Sequence, residues 1–196
     1  MSEIVRLIIN KWSSKGLIAK SEEEIYDYGL QLILFTLVNF TVILTTAVLV
    51  GRFTESVALL ATFIPIQAYG GGFHAKTHLR CFLIMYVGWW IAIFVILPIF
   101  CSTGATLSSV LALITIYFLA PVPHINVEMS DEHRMKLRIA VRIGALLAVM
   151  ISLIVIHVIA NNSIIGISMT LGIVISAFSM LIAGVKTHLF TGKSII

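Results

Sequence analysis

The sequence predicts an all-α, polytopic membrane protein, and three observations predict it. Apolar residues make up 59% of the chain and charged residues only 11%, against a usual charged share of about 25%. The apolar residues fall into six runs joined by polar segments. The cations sit in those joining segments, where they act as topology signals rather than as a nucleic-acid patch. A soluble chain of 196 residues could not hide this much apolar surface, and a net charge of +4 is modest, so nucleic acid is not expected as a partner. The expected architecture is about six transmembrane helices, two of them short enough to be re-entrant, plus an N-terminal amphipathic interfacial helix. It forms one integral membrane domain over residues 1–196, with 2–15 as the surface helix and 21–196 as the bundle.

Ser2 to about Lys15 carries Ile4, Leu7, Ile8 and Trp12 at helical spacing, with Glu3, Arg6, Asn10 and Lys11 elsewhere on the wheel. This segment is too polar to span. It suits the inner membrane face with Trp12 at headgroup level; an ordinary packing helix is the alternative. Ser21 ahead of Glu22, Glu23 and Glu24 reads as a capped helix start. The first span is Gly29 to Val50, where Gln31, Asn39 and several threonines suit contacts with neighbouring helices. Arg52 to Glu55 is a short polar turn. The second run, Ser56 to Gln67, reaches only 15 residues even when extended to Gly70. That is about 23 Å of helix against a hydrocarbon core of about 30 Å, and Pro65 near its end loosens it further. Phe82 to Phe100 is the third span and Leu107 to Val122 a short fourth. The largest polar segment is Pro123 to Arg142. Ile143 to Ala160 is the fifth span, in which His157 has no evident acidic partner and is expected to hydrogen-bond between helices. Asn161 to Ser163 is a tight turn and Ile164 to Val185 the sixth span. No internal repeat is present, and the charged N-terminus does not read as a cleavable signal peptide.

Counting lysine and arginine orients the spans. With six spans and the N-terminus inside, 12 of the 13 cations are cytoplasmic and only Arg52 is outside. Making runs two and four re-entrant moves Lys76 and Arg80 outward and gives 10 to 3. The six-span arrangement, with both termini inside, is therefore expected.

One dense polar island breaks the apolar pattern: Gly70-Gly71-Gly72-Phe73-His74-Ala75-Lys76-Thr77-His78-Leu79-Arg80-Cys81. Three consecutive glycines give a freely turning backbone. A histidine and a cysteine beside such a turn, at a membrane edge, suggest a thiol nucleophile with its base. A buried packing cysteine is the plain alternative for Cys81. Against it, Cys81 stands at the polar boundary of a span, where a helix start favours a thiolate. His74 and His78 are both candidate bases on chemistry alone. Lys76 and Arg80 read as inner-face charges with a secondary option of binding acidic groups of a substrate. Gly71 and Gly72 would let a substrate backbone approach closely. His74, His78 and Cys81 supply at most three metal ligands at a spacing that fits no zinc pattern, so neither a metal nor another cofactor is expected. Cys101, at the far end of the third span, reads as a small packing residue, and the two cysteines do not make a disulfide framework.

The pattern Gly-Gly-Phe-His-Ala-Lys-Thr-x-x-x-Cys resembles the signature of the accessory gene regulator protein B (AgrB) family, membrane cysteine endopeptidases of Gram-positive bacteria. The resemblance extends over nearly the whole chain. It includes the loop Ala120-Pro121-Val122-Pro123-His124-Ile125-Asn126 followed by the charged stretch Asp131 to Arg138. It implies that His74 and Cys81 are the catalytic pair. It also implies a cell-membrane location and a pro-peptide substrate that becomes a cyclic thiolactone or lactone signal; the cation count is what puts the catalytic loop on the cytoplasmic side. One position departs: an arginine often stands two helical turns before the histidine, and here that position is Gln67. Any substrate-binding role of that arginine thus lacks its residue in this chain.

On one straight helix His74 and Cys81 would lie about 10.5 Å apart along the axis, whereas proton transfer needs about 3 Å or one bridging water. A turn from Gly70 to about Lys76 is therefore expected to fold His74 back over the start of the third span. The rival is a continuous helix whose His74 serves a second copy in a homodimer. The alternative function is a transporter or channel, suggested by the short Gly/Pro-interrupted spans but opposed by the lack of symmetry between the halves; a non-catalytic scaffold comes third. Expected partners are the pro-peptide, the lipid bilayer and, as an option, a second copy of the chain.

Overall fold

The computed structural model describes residues 2–73, 77–122, 130–159 and 163–191. These form seven α-helices and, among the described residues, no strand. They are α1 (Ser2–Ser14), α2 (Glu23–Leu49), α3 (Phe53–Gly70), α4 (His78–Trp90), α5 (Ser102–Leu119), α6 (Asp131–Ile154) and α7 (Ile164–Thr191). A π-helical stretch (Ile91–Ile96) and a 3-10 turn (Leu97–Ile99) prolong α4, and a π-helical stretch (Val155–Ile159) prolongs α6. Pro98 accounts for the first irregularity, because its ring and missing N–H disturb the turn before it.

Five helical segments are long and apolar enough to cross a membrane: Lys20–Leu49, Leu79–Ile99, Ser102–Leu119, Asp131–Ile159 and Ile164–Val185. The remaining long helix, α3, has 18 residues, about 27 Å, but carries Glu55, Thr62 and Gln67. It is shielded instead by its neighbours. α7 is the most enclosed spanning segment and α3 lies along it. Thr62 Oγ1 donates to the Met169 carbonyl at 2.8 Å, and Gln67 Nε2 donates to Ser179 Oγ at 2.9 Å. The partners advance together along both helices, so α3 runs parallel to α7 through the bundle and does not double back. α6 runs the other way beside them: Val141, in its first half, lies near Gly70, and Ile156, just past its end, lies near Gly166.

Lipid tails are as apolar as leucine, so close packing and hydrogen bonds hold such helices together. Gly172 lets α3 and α7 touch: a Cβ there would stand 2.2 Å from Thr62 Oγ1 and 2.3 Å from the Leu59 carbonyl oxygen. Trp89 Nε1 donates to the buried Ser56 Oγ at 2.9 Å, tying α4 to α3. One apolar cluster gathers Ile43, Trp89, Ile93, Ile156 and Leu171; a second gathers Ile66, Ile116, Val141, Ile173 and Met180. The second cluster lies where α3 ends.

α1 is the amphipathic helix expected, with Val5 and Ile9 buried and Ile4 and Leu7 exposed. Three sequence expectations change. Ser21 is not the cap of α2: it sits in a 3-10 turn (Lys20–Glu22), and the helix starts at Glu23, whose carboxylate accepts from the Ser13 hydroxyl of α1. Asp131 to Arg142 is not loop but the first three turns of α6. Ser130 Oγ caps it by accepting from the His133 N–H at 3.3 Å, and an exposed Glu132–Lys136 pair at 2.7 Å lies on its surface. Cys101 is an exposed N-cap of α5, its sulfur accepting from the Gly104 N–H at 3.4 Å, rather than a packing residue. The interhelical hydrogen bond expected of His157 is present: Nε2 lies 2.9 Å from Thr106 Oγ1.

Candidate functional site

Each of the three glycines after α3 has its own structural reason. A Cβ at Gly70 would meet Met180 Cε at 2.2 Å and Val141 Cγ2 at 3.0 Å, so this glycine lets α3 end against α6 and α7. Gly71 has φ +70°, a left-handed conformation that L side chains rarely adopt. Its missing side chain also makes room for the Val122 carbonyl oxygen, which would lie 2.9 Å from a Cβ. At Gly72 a Cβ would collide with Gln67 Nε2 at 2.1 Å and Ser179 Oγ at 2.6 Å. The turn is thus pressed against three other segments at once, and the Val122 N–H donates to the Gly70 carbonyl at 2.9 Å.

The helix does not continue through the island. The Gly71 N–H makes the last helical bond, to the Gln67 carbonyl at 3.0 Å. The next helix begins at His78, with Thr77 as its cap and the Arg80 N–H donating to Thr77 Oγ1 at 3.4 Å. Cys81 lies in the first turn of α4. Its backbone N–H donates to the Thr77 carbonyl at 3.0 Å, and its thiol is free and half-buried. Negative charge on that sulfur would lie at the positive end of the α4 macrodipole. Arg80 beside it is exposed.

The structure therefore places Gly71 and Gly72 in a packed turn and Cys81 and Arg80 at the start of the next helix. His74 and Lys76 lie outside the described residues, and so do the His74–Cys81 separation and the fold-back of His74. Of His78 only the backbone position, opening α4, is described. Among the described residues no three His, Cys, Asp or Glu side chains converge as metal ligands would. Sequence reasoning missed the residues that shape the turn, namely Val122, Val141, Ser179 and Met180. They come from three distant segments, and none carries a local signal.

A bundle of apolar helices with one polar, glycine-hinged site at its end defines a polytopic membrane protein. The model of the family "Accessory gene regulator B" matches residues 2–180, and the chain belongs to this AgrB family. Similar curated proteins include a "Putative AgrB-like protein" of Listeria innocua, 27% identical over 141 residues that cover 69% of each chain. A protein of the same name from Listeria monocytogenes is 26% identical over the same lengths. No solved structure matches the chain. Family membership supports a part in accessory gene regulator peptide processing and, with the apolar helices, a membrane and quorum-sensing setting.

Proposed function

We propose that this chain is a membrane cysteine endopeptidase that cleaves the C-terminal part of a pro-peptide and promotes closure of the remaining part into a thiolactone or lactone. The observation that carries this reading is the position of Cys81. Its free, half-buried thiol sits in the first turn of α4, four residues after the cap Thr77 and eight after Phe73, where the packed glycine turn ends. A free thiol is mostly protonated at neutral pH, so the nucleophile needs a base. His74 takes that proton. The thiolate then attacks the scissile carbonyl, the C–N bond breaks, and the departing amine takes the proton from His74. The N-terminal part of the peptide is left as an acyl-thioester on Cys81. A side-chain thiol or hydroxyl of the peptide then attacks the thioester carbonyl, closes the ring and returns the thiol of Cys81. The first step trades an amide for a less stable thioester, so removal of the tail pulls it forward, and exclusion of water keeps the thioester from being hydrolysed before the ring closes.

In this reading Lys76 and Arg80 hold acidic groups of the substrate, while the space at Gly71 and Gly72, expected to admit the substrate backbone, is taken by Val122, Gln67 and Ser179, so these glycines shape the turn beside the site. The site faces the cytoplasm, where a newly made peptide is found; the cation distribution, with 12 of 13 on that side, supports this orientation. The test is co-expression with a short peptide that has an amphipathic start and an acidic tail, to be sought in a neighbouring reading frame. Cys81→Ala should abolish cleavage while the protein still inserts at normal levels, and Cys101→Ala should cleave normally. Normal cleavage by Cys81→Ala would end the peptidase reading.

A further inference from the structure

Two polar groups that flank the glycine turn meet a third from a distant part of the chain. The Ser179 hydroxyl oxygen, on α7, accepts from the Phe73 backbone N–H at 2.9 Å and from Gln67 Nε2 at 2.9 Å. Both donors flank the turn, one on the last part of α3 and one at its exit. Gly72 makes the convergence sterically feasible, because a Cβ would occupy the space of the Gln67 amide and crowd the Ser179 oxygen. The amide stays there at a cost. Among the described residues its buried Oε1 atom has no hydrogen-bond partner, and a buried acceptor left unpaired is destabilising.

Phe73 is the residue covalently joined to His74. Fixing its N–H fixes the point from which the base-bearing segment departs. We propose that Ser179, held by Gln67, is a positioning residue for the peptidase reaction: it anchors to α7 the backbone of Phe73, the residue from which the chain continues to His74. This inference rests on the peptidase reading above. Ser179 touches neither substrate nor sulfur in this role; it acts through the backbone. A small error in the placement of a base costs far more in rate than in binding, so the effect should fall on turnover rather than on affinity.

The test uses the full chain in liposomes, in a Cys101→Ala background, with iodoacetamide as a probe of the remaining thiol. Iodoacetamide reacts with the thiolate, so at pH 7 alkylation reports help from a base, whereas at pH 9.5 free thiols in general ionise without one. His74→Ala should slow alkylation at pH 7 but not at pH 9.5. Ser179→Ala should slow it about tenfold at pH 7 and leave it within about twofold at pH 9.5, showing that access is intact. Ser179→Thr keeps the hydroxyl and should restore the rate; Gln67→Leu should slow it in the same direction as Ser179→Ala. In the cleavage assay with the neighbouring-frame peptide, Ser179→Ala should lower kcat about tenfold with KM within about twofold. Wild-type alkylation by Ser179→Ala at pH 7, or failure of Ser179→Thr to restore it, overturns the inference while a slow His74→Ala leaves the peptidase reading in place. If His74→Ala itself alkylates at the wild-type rate, both fall together.

Discussion

Replacing Gly71 with alanine tests whether the shape of the glycine turn matters to the site. Gly71 has φ +70° and ψ −171°, a region nearly reserved for glycine, in which another residue costs about 1–3 kcal/mol. The new Cβ would also sit 2.9 Å from the Val122 carbonyl oxygen. That oxygen cannot simply withdraw, because the Val122 N–H is bonded to the Gly70 carbonyl at 2.9 Å. The turn should relieve both stresses by shifting, and about 2 kcal/mol of strain disfavours the native turn about 30-fold. Gly51 is a matched control. It has nearly the same φ, +68°, but nothing lies within 4 Å of its would-be Cβ, and it stands at the α2–α3 turn. Gly71→Ala should lose at least about tenfold in turnover of pro-peptide in liposomes. Gly51→Ala should lose about 1–2 kcal/mol of stability from the left-handed backbone alone, with turnover per folded molecule unchanged. Wild-type turnover by Gly71→Ala, or an equal loss in Gly51→Ala, would refute the reasoning.

Orientation can be read with a thiol label that does not cross membranes, in a Cys101→Ala background so that the exposed native thiol is silent. A cysteine at Ser163 should label on intact cells and one at Ser130 only after the cells are opened; outside labelling at position 130 would reverse the orientation. Ser56→Ala should cost about 1–3 kcal/mol, because it leaves the Trp89 Nε1–H buried without its acceptor. Its thermal midpoint should fall clearly below the wild-type value, whereas Ser56→Thr, which keeps the hydroxyl, should stay near it.

The helices were legible in the sequence because apolar runs of this length have few alternatives once charge is so scarce. What sequence did not reveal was where polar residues join helices. Asp131 to Arg142 read as loop because charge was equated with loop. The signal for a helix was there all the same: a serine cap at Ser130, acids in the first turn, and Glu132 four residues before Lys136. Cys101 read as a packing residue because thiols are usually buried, yet Ser-Thr-Gly after it leaves a helix start in need of a cap. The glycines were recognisable as a turn from composition alone. Their separate reasons were not, since Met180, Val122 and Ser179 lie about 50 to 110 residues away and look like any other residue of an apolar helix. α3 was seen as short, but its path along α7 depends on Thr62 and Gln67 finding partners that no local pattern announces.

The central claim is that Cys81 becomes acylated during peptide processing, and mass spectrometry of the intact protein tests it most directly. Purified protein in liposomes is mixed with the neighbouring-frame peptide, quenched in acid within the first turnovers, and weighed before and after hydroxylamine. The account predicts added mass equal to the N-terminal part of the peptide as an acyl group, mapped to Cys81, removed by hydroxylamine and absent from Cys81→Ala. Cleaved peptide accumulating with no adduct on Cys81, and equally in Cys81→Ala, would contradict it.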